Sequence, residues 1–290
     1  MPQILTRRAY GKINLGLDVI RRRPDGYHEV KMIMQMVDIY DELTMAEAEN
    51  GQITISTDNA ELPNDEHNLI YKAIIKYRET TGEKMGVSVT LKKNIPIAAG
   101  MAGGSTDAAA ALILYNDLCG RKLSPEELCK IGVKVGADVP YCIMGKTALS
   151  EGIGEVLTPL QAPPKCSLVI AKPDINVSTK FVYEHLQLDS LKKHPDIDGM
   201  RKAIENGDLQ GICDRMENVL ETVTVQEYPV ITQIKELLIQ SGAENALMSG
   251  SGPTVFAVFT DKDKAEKAKE KLEQTGLAKQ LFVTTFHQGQ

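Results

Sequence analysis

The sequence predicts an α+β fold in two domains, and three features of its patterning favour this class. The first third of the 290 residues is rich in alternating apolar and polar side chains, which is typical of β-strands. Helical spacing of apolar residues first appears at residue 68 and dominates from residue 179 to about 241. Strands and helices are mixed without strict strand–helix–strand alternation, which favours two α+β layers. Because a proline-flanked segment at 159–164 indicates a boundary, we expect domains at residues 1–160 and 161–290.

Most of the strands and helices are predicted from the spacing of apolar residues and from the turn residues between them. Residues 9–20 alternate loosely and lead into Arg23-Pro24-Asp25-Gly26, where proline and glycine occupy positions typical of a turn. Further strands are predicted at residues 32–45, 52–57, 87–91, 168–171, 246–249, 254–259 and 281–286. Further helices are predicted at residues 68–77, 108–114 and 263–273, besides the helical run that begins at residue 179.

One helix start is marked by a capping box. Ser124 and Glu127 have the spacing in which each side chain accepts from the other's backbone amide, with Pro125 at the first helical position. The helix that follows should place three apolar side chains on one face and stop at Gly136. These side chains are Leu128, Ile131 and Val135.

Composition excludes several classes of protein. Hydrophobic residues make up 42% and charged residues 25%, which is ordinary for a globular protein, and a net charge of −6 argues against nucleic-acid binding. Five scattered cysteines without paired spacing fit reduced thiols rather than a zinc site or a disulfide framework. With no signal-peptide pattern and no apolar run of membrane-spanning length, we expect a cytoplasmic protein that binds no membrane.

An anion-binding loop is predicted where residues 96–112 read PIAAGMAGGSTDAAAAL. The loop joins the strand at 87–91 to the helix at 108–114. Its glycines allow the backbone to approach a ligand, and the amides and dipole of a helix N-terminus attract negative charge. We expect Gly103, Gly104, Ser105 and Thr106 to direct amides and two hydroxyls at a polyphosphate; the alternative is a tight turn packed for size alone. The segment fits neither the Walker A pattern nor G-x-G-x-x-G.

A second motif, Gly11-Lys12-Ile13-Asn14-Leu15, lies on the first predicted strand. Lys12 and Asn14 are two residues apart and therefore share one face of a strand, while Ile13 and Leu15 face the core. A lysine can pair with phosphate or lower the pKa of a neighbouring hydroxyl, and an asparagine can fix a substrate by hydrogen bonds. The alternative is the exposed edge of a half-buried strand.

A third motif, Gly136-Ala137-Asp138-Val139-Pro140, sets an acid between a helix-ending glycine and a proline. Phosphoryl transfer needs positioning, charge stabilisation and one acid that accepts the proton of the substrate hydroxyl. Asp138 has that chemistry; the alternative is an aspartate that only binds the amides of its own turn.

A fourth motif is the glycine-rich turn that residues 248–254 form between two predicted strands. Its glycines favour a tight β-turn with positive φ. A flexible backbone of this kind can also lie against a nucleotide or substrate.

Taken together, these motifs resemble the GHMP kinase superfamily. The resemblance rests on the Pro-x-x-x-Gly-x-x-Gly-Gly-Ser-Thr loop at 96–106, Gly-Ser-Gly-Pro-Thr at 250–254 and Lys12-x-Asn14. Members phosphorylate galactose, homoserine, mevalonate and related alcohols. Residues 23–29, RPDGYHE, are similar to the branch that phosphorylates the 2-hydroxyl of a cytidyl diphosphate ester of methylerythritol, in the non-mevalonate isoprenoid pathway. The resemblance covers nearly the whole chain and implies a ribosomal protein S5 domain 2-like N-terminal domain and an α/β C-terminal domain.

The resemblance also implies roles for individual residues. Lys12 and Asp138 match the catalytic pair, with Asp138 as the base for the substrate hydroxyl. ATP and Mg²⁺ are the expected cofactors; the metal ligands stay open among Ser105, Thr106 and Asp107. The expected ATP-binding residues are Lys93, Pro96, Gly100, Gly103, Gly104, Ser105 and Thr106. The expected substrate-binding residues are Asn14, Tyr27, His28, Thr179 and Tyr183, with the cytosine ring between Tyr27 and Tyr183.

Two other functions stay open. One is a GHMP kinase for homoserine or mevalonate, against which Tyr27 and His28 argue because those substrates carry no base. The other is a non-catalytic nucleotide- or sugar-binding regulator, which has no need for both Lys12 and Asp138. The expected partner is a small-molecule substrate. We expect no binding to nucleic acid, and a homodimer is left open.

Overall fold

A computed structural model describes residues 3–191 and 193–289, and its mixture of sheets and helices confirms the α+β class. These residues divide into two compact units, each built from several stretches of chain. The first unit holds residues up to 11, 39–97 and 102–145. The second holds residues 12–38, 98–101 and those from 146 onward. The domain boundary at residue 160 stays a prediction.

Two long paired strands, β1 (Ile4–Arg22) and β2 (His28–Ala48), run through both units. In the first unit the hydroxyls of Thr6 and Thr44 meet across this pair at 2.9 Å. There β2 also pairs antiparallel with β4 (Gly86–Lys92), which pairs parallel with β3 (Ile53–Thr57). The alternating burial along β4 matches a strand with one face on the core.

Four helices complete the first unit, and α2 is central among them. The helices are α1 (Leu69–Thr81), α2 (Gly103–Leu118), α3 (Pro125–Gly132) and α4 (Val139–Met144). Helix α2 packs against α1, α3 and α4. The run of alanines at 108–111 is buried, as expected of a helix that is apolar on all sides.

The second unit contains a four-stranded antiparallel sheet in the order β10-β7-β9-β8. Helices α9 and α10 pack against it. The first part of β2 pairs with β5, which forms a hairpin with β6. The strands are β5 (Ala148–Gly152), β6 (Val156–Pro159), β7 (Ser167–Lys172), β8 (Asn245–Met248), β9 (Val255–Phe259) and β10 (Gln280–Thr285). The helices are α5 (Thr179–His185), α6 (Ile197–Glu205), α7 (Leu209–Cys213), α8 (Glu221–Glu227), α9 (Val230–Gln240) and α10 (Lys262–Thr275).

The predicted end of one helix was wrong, and some elements were not predicted. Helix α3 ends at Gly132 instead of Gly136. Beyond it, the Val135 amide donates to the Gly132 carbonyl at 2.9 Å, a hydrogen bond that spans three residues instead of the four of an α-helix. Gly132 also packs closely on α4, since an added Cβ would lie 2.8 Å from Cγ1 of Val139. Residues 149–152 form most of β5, and neither this strand nor α4 was predicted. A search of helices within the described residues finds no stretch of the length and apolarity that would span a membrane.

Candidate active site

The start of α2 has the geometry of an anion-binding site. Ala102 precedes it in a left-handed conformation (φ +56°), and the first helical hydrogen bond runs from the Thr106 amide to the Ala102 carbonyl at 2.9 Å. The amides of Gly103, Gly104 and Ser105 therefore lie in the first turn, where helix geometry supplies no intrahelical acceptor. Together with the helix dipole, these amides favour a bound phosphate.

The two hydroxyls at this helix end have different surroundings. Thr106 is buried, and its hydroxyl donates to the Tyr10 carbonyl at 2.8 Å, which ties α2 to β1. Ser105 is half-buried in the first turn. A contact of Thr106 with phosphate stays a prediction, and both its amide and its hydroxyl already have protein acceptors.

The turn that carries Asp138 lies beside this helix end. A Cβ on Gly136 would be 3.7 Å from Oγ of Ser105, so the backbone two residues before Asp138 borders the first turn of α2. Asp138 is half-buried at the N-cap position of α4, but within the described residues its side chain caps no amide of that helix. A carboxylate thus lies near the anion-binding end of α2, and its role as the proton acceptor stays a prediction.

Lys93 belongs to a buried ion cluster, which we define as Asp41, Lys93 and Asp107. Its ammonium forms ion pairs with Asp41 and, at 2.8 Å, with Asp107, and its side chain is only 4% exposed. Asp41 Oδ1 also accepts the backbone amides of Asn94 and Ile95 at 2.6 and 2.8 Å. The cluster thus joins β2, the segment after β4 and the first turns of α2. Contact between the Lys93 side chain and adenine stays a prediction.

One cation faces two carboxylates in this cluster, and the two carboxylates differ in their surroundings. Burial raises the pKa of Asp107 to about 8. Burial by itself lowers the pKa of Lys93, but the carboxylates of Asp107 and Asp41 outweigh it and hold that pKa above its ordinary value. Asp107 Oδ1 is among the buried polar atoms of the described residues that lack a hydrogen-bond partner. Asp107 is therefore the less well satisfied carboxyl of the cluster, since Asp41 also accepts two backbone amides.

In the second unit, Lys12 and Asn14 act as a pair. Both are buried, and Lys12 Nζ donates to Asn14 Oδ1 at 2.9 Å, as expected of neighbours on one strand face. The Lys12 amide donates to the Met101 carbonyl at 3.1 Å, which attaches β1 to the middle of the glycine loop. A buried ammonium and amide therefore lie next to loop residues 98–101.

The glycine turn, residues 249–252, touches three parts of the second unit. Ser249 Oγ donates to the Gly100 carbonyl at 2.9 Å, and the hydroxyls of Ser251 and Thr179 lie 2.9 Å apart. A Cβ on Gly250 would be 3.5 Å from Asn14 Oδ1. The glycine turn thus contacts the loop, the Lys12 strand and the start of α5.

Replacing Gly100 by alanine should destabilise the protein and weaken ATP binding. Gly100 has φ +70°, and an added Cβ would collide with the carbonyl oxygen of Ser249. The left-handed conformation and the collision together should lower the free energy of unfolding by about 2 to 3 kcal/mol. Urea unfolding and the KM for ATP measure the two effects.

Gly145→Ala is the matched control for this substitution. Gly145 has φ +66° and no heavy atom within 4 Å of an added Cβ, so it carries the conformational cost alone. Equal losses of stability and equal KM values in the two variants would show that the contact with Ser249 is unimportant.

Two aromatic rings meet at one end of the second unit. His28, at the start of β2, lies 5.1 Å from Tyr183 between ring centroids, with the planes tilted by 38°. Thr179 and Tyr183 are one turn apart on α5, and Tyr27 is 60% exposed. Burial, followed by the nearby Arg22 cation, lowers the pKa of His28, so its ring is neutral near pH 7 and offers one donor and one acceptor. Flat rings and a neutral imidazole can recognise a heterocyclic base.

Sequence reasoning missed several residues that hold these parts in place. Asp41 lies in a strand segment that carries no motif, and its partners are 52 and 66 positions away, at Lys93 and Asp107. Asn218 binds the carbonyls of Met248 and Gly250 from 30 and 32 positions away. The one available signal for Asp41 was its alternation with Ile39 and Leu43 on the same face of its strand, where both apolar residues are buried.

Family comparisons agree with this geometry. The sequence model of the GHMP kinases N terminal domain matches residues 68–146, and that of the GHMP kinases C terminal domain matches residues 200–278. A solved structure of a homoserine kinase from Cytophaga hutchinsonii has a TM-score of 0.80 at 22% identity, covering 99% of this chain and 96% of that one, and it shows a shared fold.

Nearer relatives define the branch. The 4-diphosphocytidyl-2-C-methyl-D-erythritol kinase of Lachnoclostridium phytofermentans is 52% identical over 98% of this chain and 97% of its own length. That of Lachnospira eligens is 51% identical over 96% of both chains. A crystal structure of 4-(cytidine 5'-diphospho)-2C-methyl-D-erythritol kinase covers 98% of this chain and 100% of its own, with 29% identity and a TM-score of 0.82. The chain therefore belongs to the GHMP kinases, in the family of the 4-diphosphocytidyl-2-C-methyl-D-erythritol kinases.

Proposed function

We propose that the chain transfers the γ-phosphate of ATP to the 2-hydroxyl of 4-diphosphocytidyl-2-C-methyl-D-erythritol, a step of the non-mevalonate isoprenoid pathway. ADP is the second product. The relatives at about 50% identity over nearly the full length support both the reaction and its substrate. The observation in the structure that carries the proposal is the His28–Tyr183 ring pair, one helical turn from Thr179.

The reaction needs a phosphate site, a proton acceptor and a positive charge, and residues already described can supply each. The amides of Gly103, Gly104 and Ser105 bind ATP phosphates. The carboxylate of Asp138 accepts the proton of the attacking hydroxyl as the new O–P bond forms and the bond to ADP breaks. Lys12 compensates charge on the transferred group, and Asn14 orients both Lys12 and the acceptor.

Mg²⁺ enters with ATP and neutralises phosphate charge when bound. The candidate ligands do not fit equally well. Asp107 is a poor ligand because it is buried and paired with the Lys93 ammonium, which repels a second cation. The hydroxyl of Thr106 is engaged with the Tyr10 carbonyl. Ser105 is the hydroxyl that fits, alongside phosphate oxygens and water.

An acceptor panel tests the proposed function. The purified protein is mixed with ATP, Mg²⁺ and one alcohol at a time, and ADP release is followed. We expect release with the cytidyl ester alone. Release with homoserine or mevalonate would assign the chain to another GHMP activity, and absence of release with every alcohol would favour a binding protein.

The proposal extends to the cellular compartment and the oligomeric state of the protein. Its ATP requirement and the five free thiols of its cysteines, all of them described, support a place in the cytoplasm. A homodimer stays a prediction, which light scattering coupled to size-exclusion chromatography tests.

Tyr27→Ala should raise the KM for the cytidyl substrate more than the KM for ATP. The exposed Tyr27 ring lies next in sequence to His28 and can stack on cytosine; a stacked base is worth about 1 to 3 kcal/mol, or roughly 5- to 150-fold in KM. Steady-state kinetics with each substrate varied in turn measure both constants. Tyr27→Phe keeps the ring and should stay within about 3-fold of wild type, because the stacking face is retained. Equal changes in both KM values for Tyr27→Ala would place the cytosine elsewhere.

A further inference from the structure

The side chain of Asn218 fixes the conformation of the glycine turn through hydrogen bonds to its backbone. It is buried, and Nδ2 donates to the carbonyls of Met248 and Gly250, both at 2.8 Å. Its Oδ1 accepts the Leu220 amide at 3.0 Å. Both amide hydrogens and the carbonyl oxygen are therefore used, as a buried asparagine requires.

Asn218 is itself held firmly against β1. The Leu17 amide donates to the Glu217 carbonyl at 2.9 Å, and the Val219 amide donates to the Leu17 carbonyl at 3.0 Å. These bonds form a bridge of Leu17 with Asn218. The side chain therefore extends from an anchored backbone.

A second side chain from the same segment supports the turn. Thr224 is buried in α8, and its hydroxyl lies 3.2 Å from the Ser251 carbonyl and 3.1 Å from the Leu220 carbonyl. Three carbonyls of the turn region, those of Met248, Gly250 and Ser251, thus receive side-chain donors from residues 218–224.

The glycine turn depends on such support because its glycines have little intrinsic preference for one backbone conformation. Gly250 and Gly252 have φ +58° and +89°, and glycine populates this region about as readily as negative φ. From the fixed turn, Ser249 reaches Gly100 of the loop and Ser251 reaches Thr179 of α5. One short backbone segment thus touches both the ATP loop and the acceptor side.

We propose that Asn218 is a positioning residue that sets both substrate sites at once, by holding the glycine turn against Gly100 and Thr179. Asn218 contacts neither substrate. Its effect passes through Ser249 to the phosphate loop and through Ser251 to the segment that carries Thr179 and Tyr183. The naming of the two sites rests on the proposed function.

Asn218→Asp tests this proposal at nearly constant volume. One oxygen of the aspartate can still accept the Leu220 amide. The other replaces the amide nitrogen, so the carbonyls of Met248 and Gly250 lose their donor and face a negatively charged oxygen. Because the turn loses two buried hydrogen bonds that hold it, we expect the KM values for ATP and the cytidyl substrate to rise together, by about 10-fold or more. Steady-state kinetics are measured at a temperature where thermal unfolding shows both variants folded.

Asn245→Asp is the matched control. Asn245 also donates through its amide to a carbonyl, that of Cys213 at 2.6 Å, and accepts a backbone amide, that of Ala246 at 2.8 Å, but it does not touch the glycine turn. We expect it to lose stability with both KM values unchanged. Equal kinetics of the two folded asparagine variants would overturn the proposal.

Two serine variants keep the proposal falsifiable if Asn218→Asp does not fold. Ser249→Ala removes the bond to Gly100 and should raise the KM for ATP alone, whereas Ser251→Ala removes the contact with Thr179 and should raise the acceptor KM alone. Unchanged KM values in both would overturn the proposal. Failure of the proposed function is seen separately, because wild-type protein would then release no ADP with the cytidyl ester. In that event ATP binding by calorimetry still reports whether Asn218→Asp disturbs the loop.

Discussion

Asp138→Asn should reduce kcat by at least about 100-fold, because an amide cannot accept the proton of the attacking hydroxyl and general bases contribute about 10²- to 10⁴-fold. The substitution keeps the size and shape of the side chain. In the described structure the Asp138 side chain forms no capping hydrogen bond with α4, so the substitution removes no N-cap bond of that helix. We therefore expect the loss to appear in the chemical step.

ATP binding should survive this substitution. The amides expected to hold phosphate belong to the backbone of the first turn of α2, and the substitution leaves that backbone unchanged. Single-turnover kinetics measure the chemical step, and calorimetry measures the Kd for ATP. Asp117→Asn serves as the control, since Asp117 forms a partly exposed pair with Arg121, of a kind worth about 0 to 1 kcal/mol. A near-normal kcat for Asp138→Asn would remove Asp138 from the mechanism.

Local features of the site could be predicted from the sequence because they depend on neighbours in the chain. The strand period places Lys12 and Asn14 on one face, and their 2.9 Å hydrogen bond confirms it. The capping box at Ser124 and Glu127 is present as predicted. The glycine loop does join a strand to a helix, although α2 begins at Gly103, five residues before the predicted start.

Features set by distant partners could not be predicted in this way. His28 and Tyr183 are 155 positions apart, and their common role came from a family resemblance rather than from spacing. The close approach of Gly132 to Val139 of α4 is likewise a contact between two elements, which hydrophobic period does not encode. Lys93 looked like a ligand-binding lysine before the loop, because nothing in its neighbourhood reveals that Asp41 lies against it.

Lys93→Met should lower the free energy of unfolding by about 3 to 5 kcal/mol, because it leaves Asp41 and Asp107 as buried carboxylates without their cation. Methionine retains much of the volume of the lysine stem, so lost packing accounts for little of this cost. Protonation of Asp107 relieves only part of the penalty. Asp41 would still accept the amides of Asn94 and Ile95, but without a compensating positive charge.

The same cluster should affect ATP binding through the backbone. Asn94 and Ile95 lead directly into the loop at 96–106, and a Cβ on Gly103 would lie 3.0 Å from Lys93 Nζ. A disturbed Lys93 therefore shifts the segment before the loop and the first residue of α2 together. We expect a higher KM for ATP in any Lys93→Met protein that folds, with kcat less affected than in Asp138→Asn.

Urea unfolding of three variants separates charge from packing in this cluster. Lys76→Met removes an exposed pair with Glu79 and should cost no more than about 1 kcal/mol. Adding Asp107→Leu to Lys93→Met removes the poorly satisfied carboxyl and should restore part of the lost stability, since apolar replacement of buried ion pairs is often neutral or stabilising. If Lys93→Met cost no more than Lys76→Met, or if the second substitution deepened the loss, the Asp41–Lys93–Asp107 cluster would not be held by its charges. The position of the phosphate loop would then depend on the apolar contacts of Ile95 with the start of α2 instead.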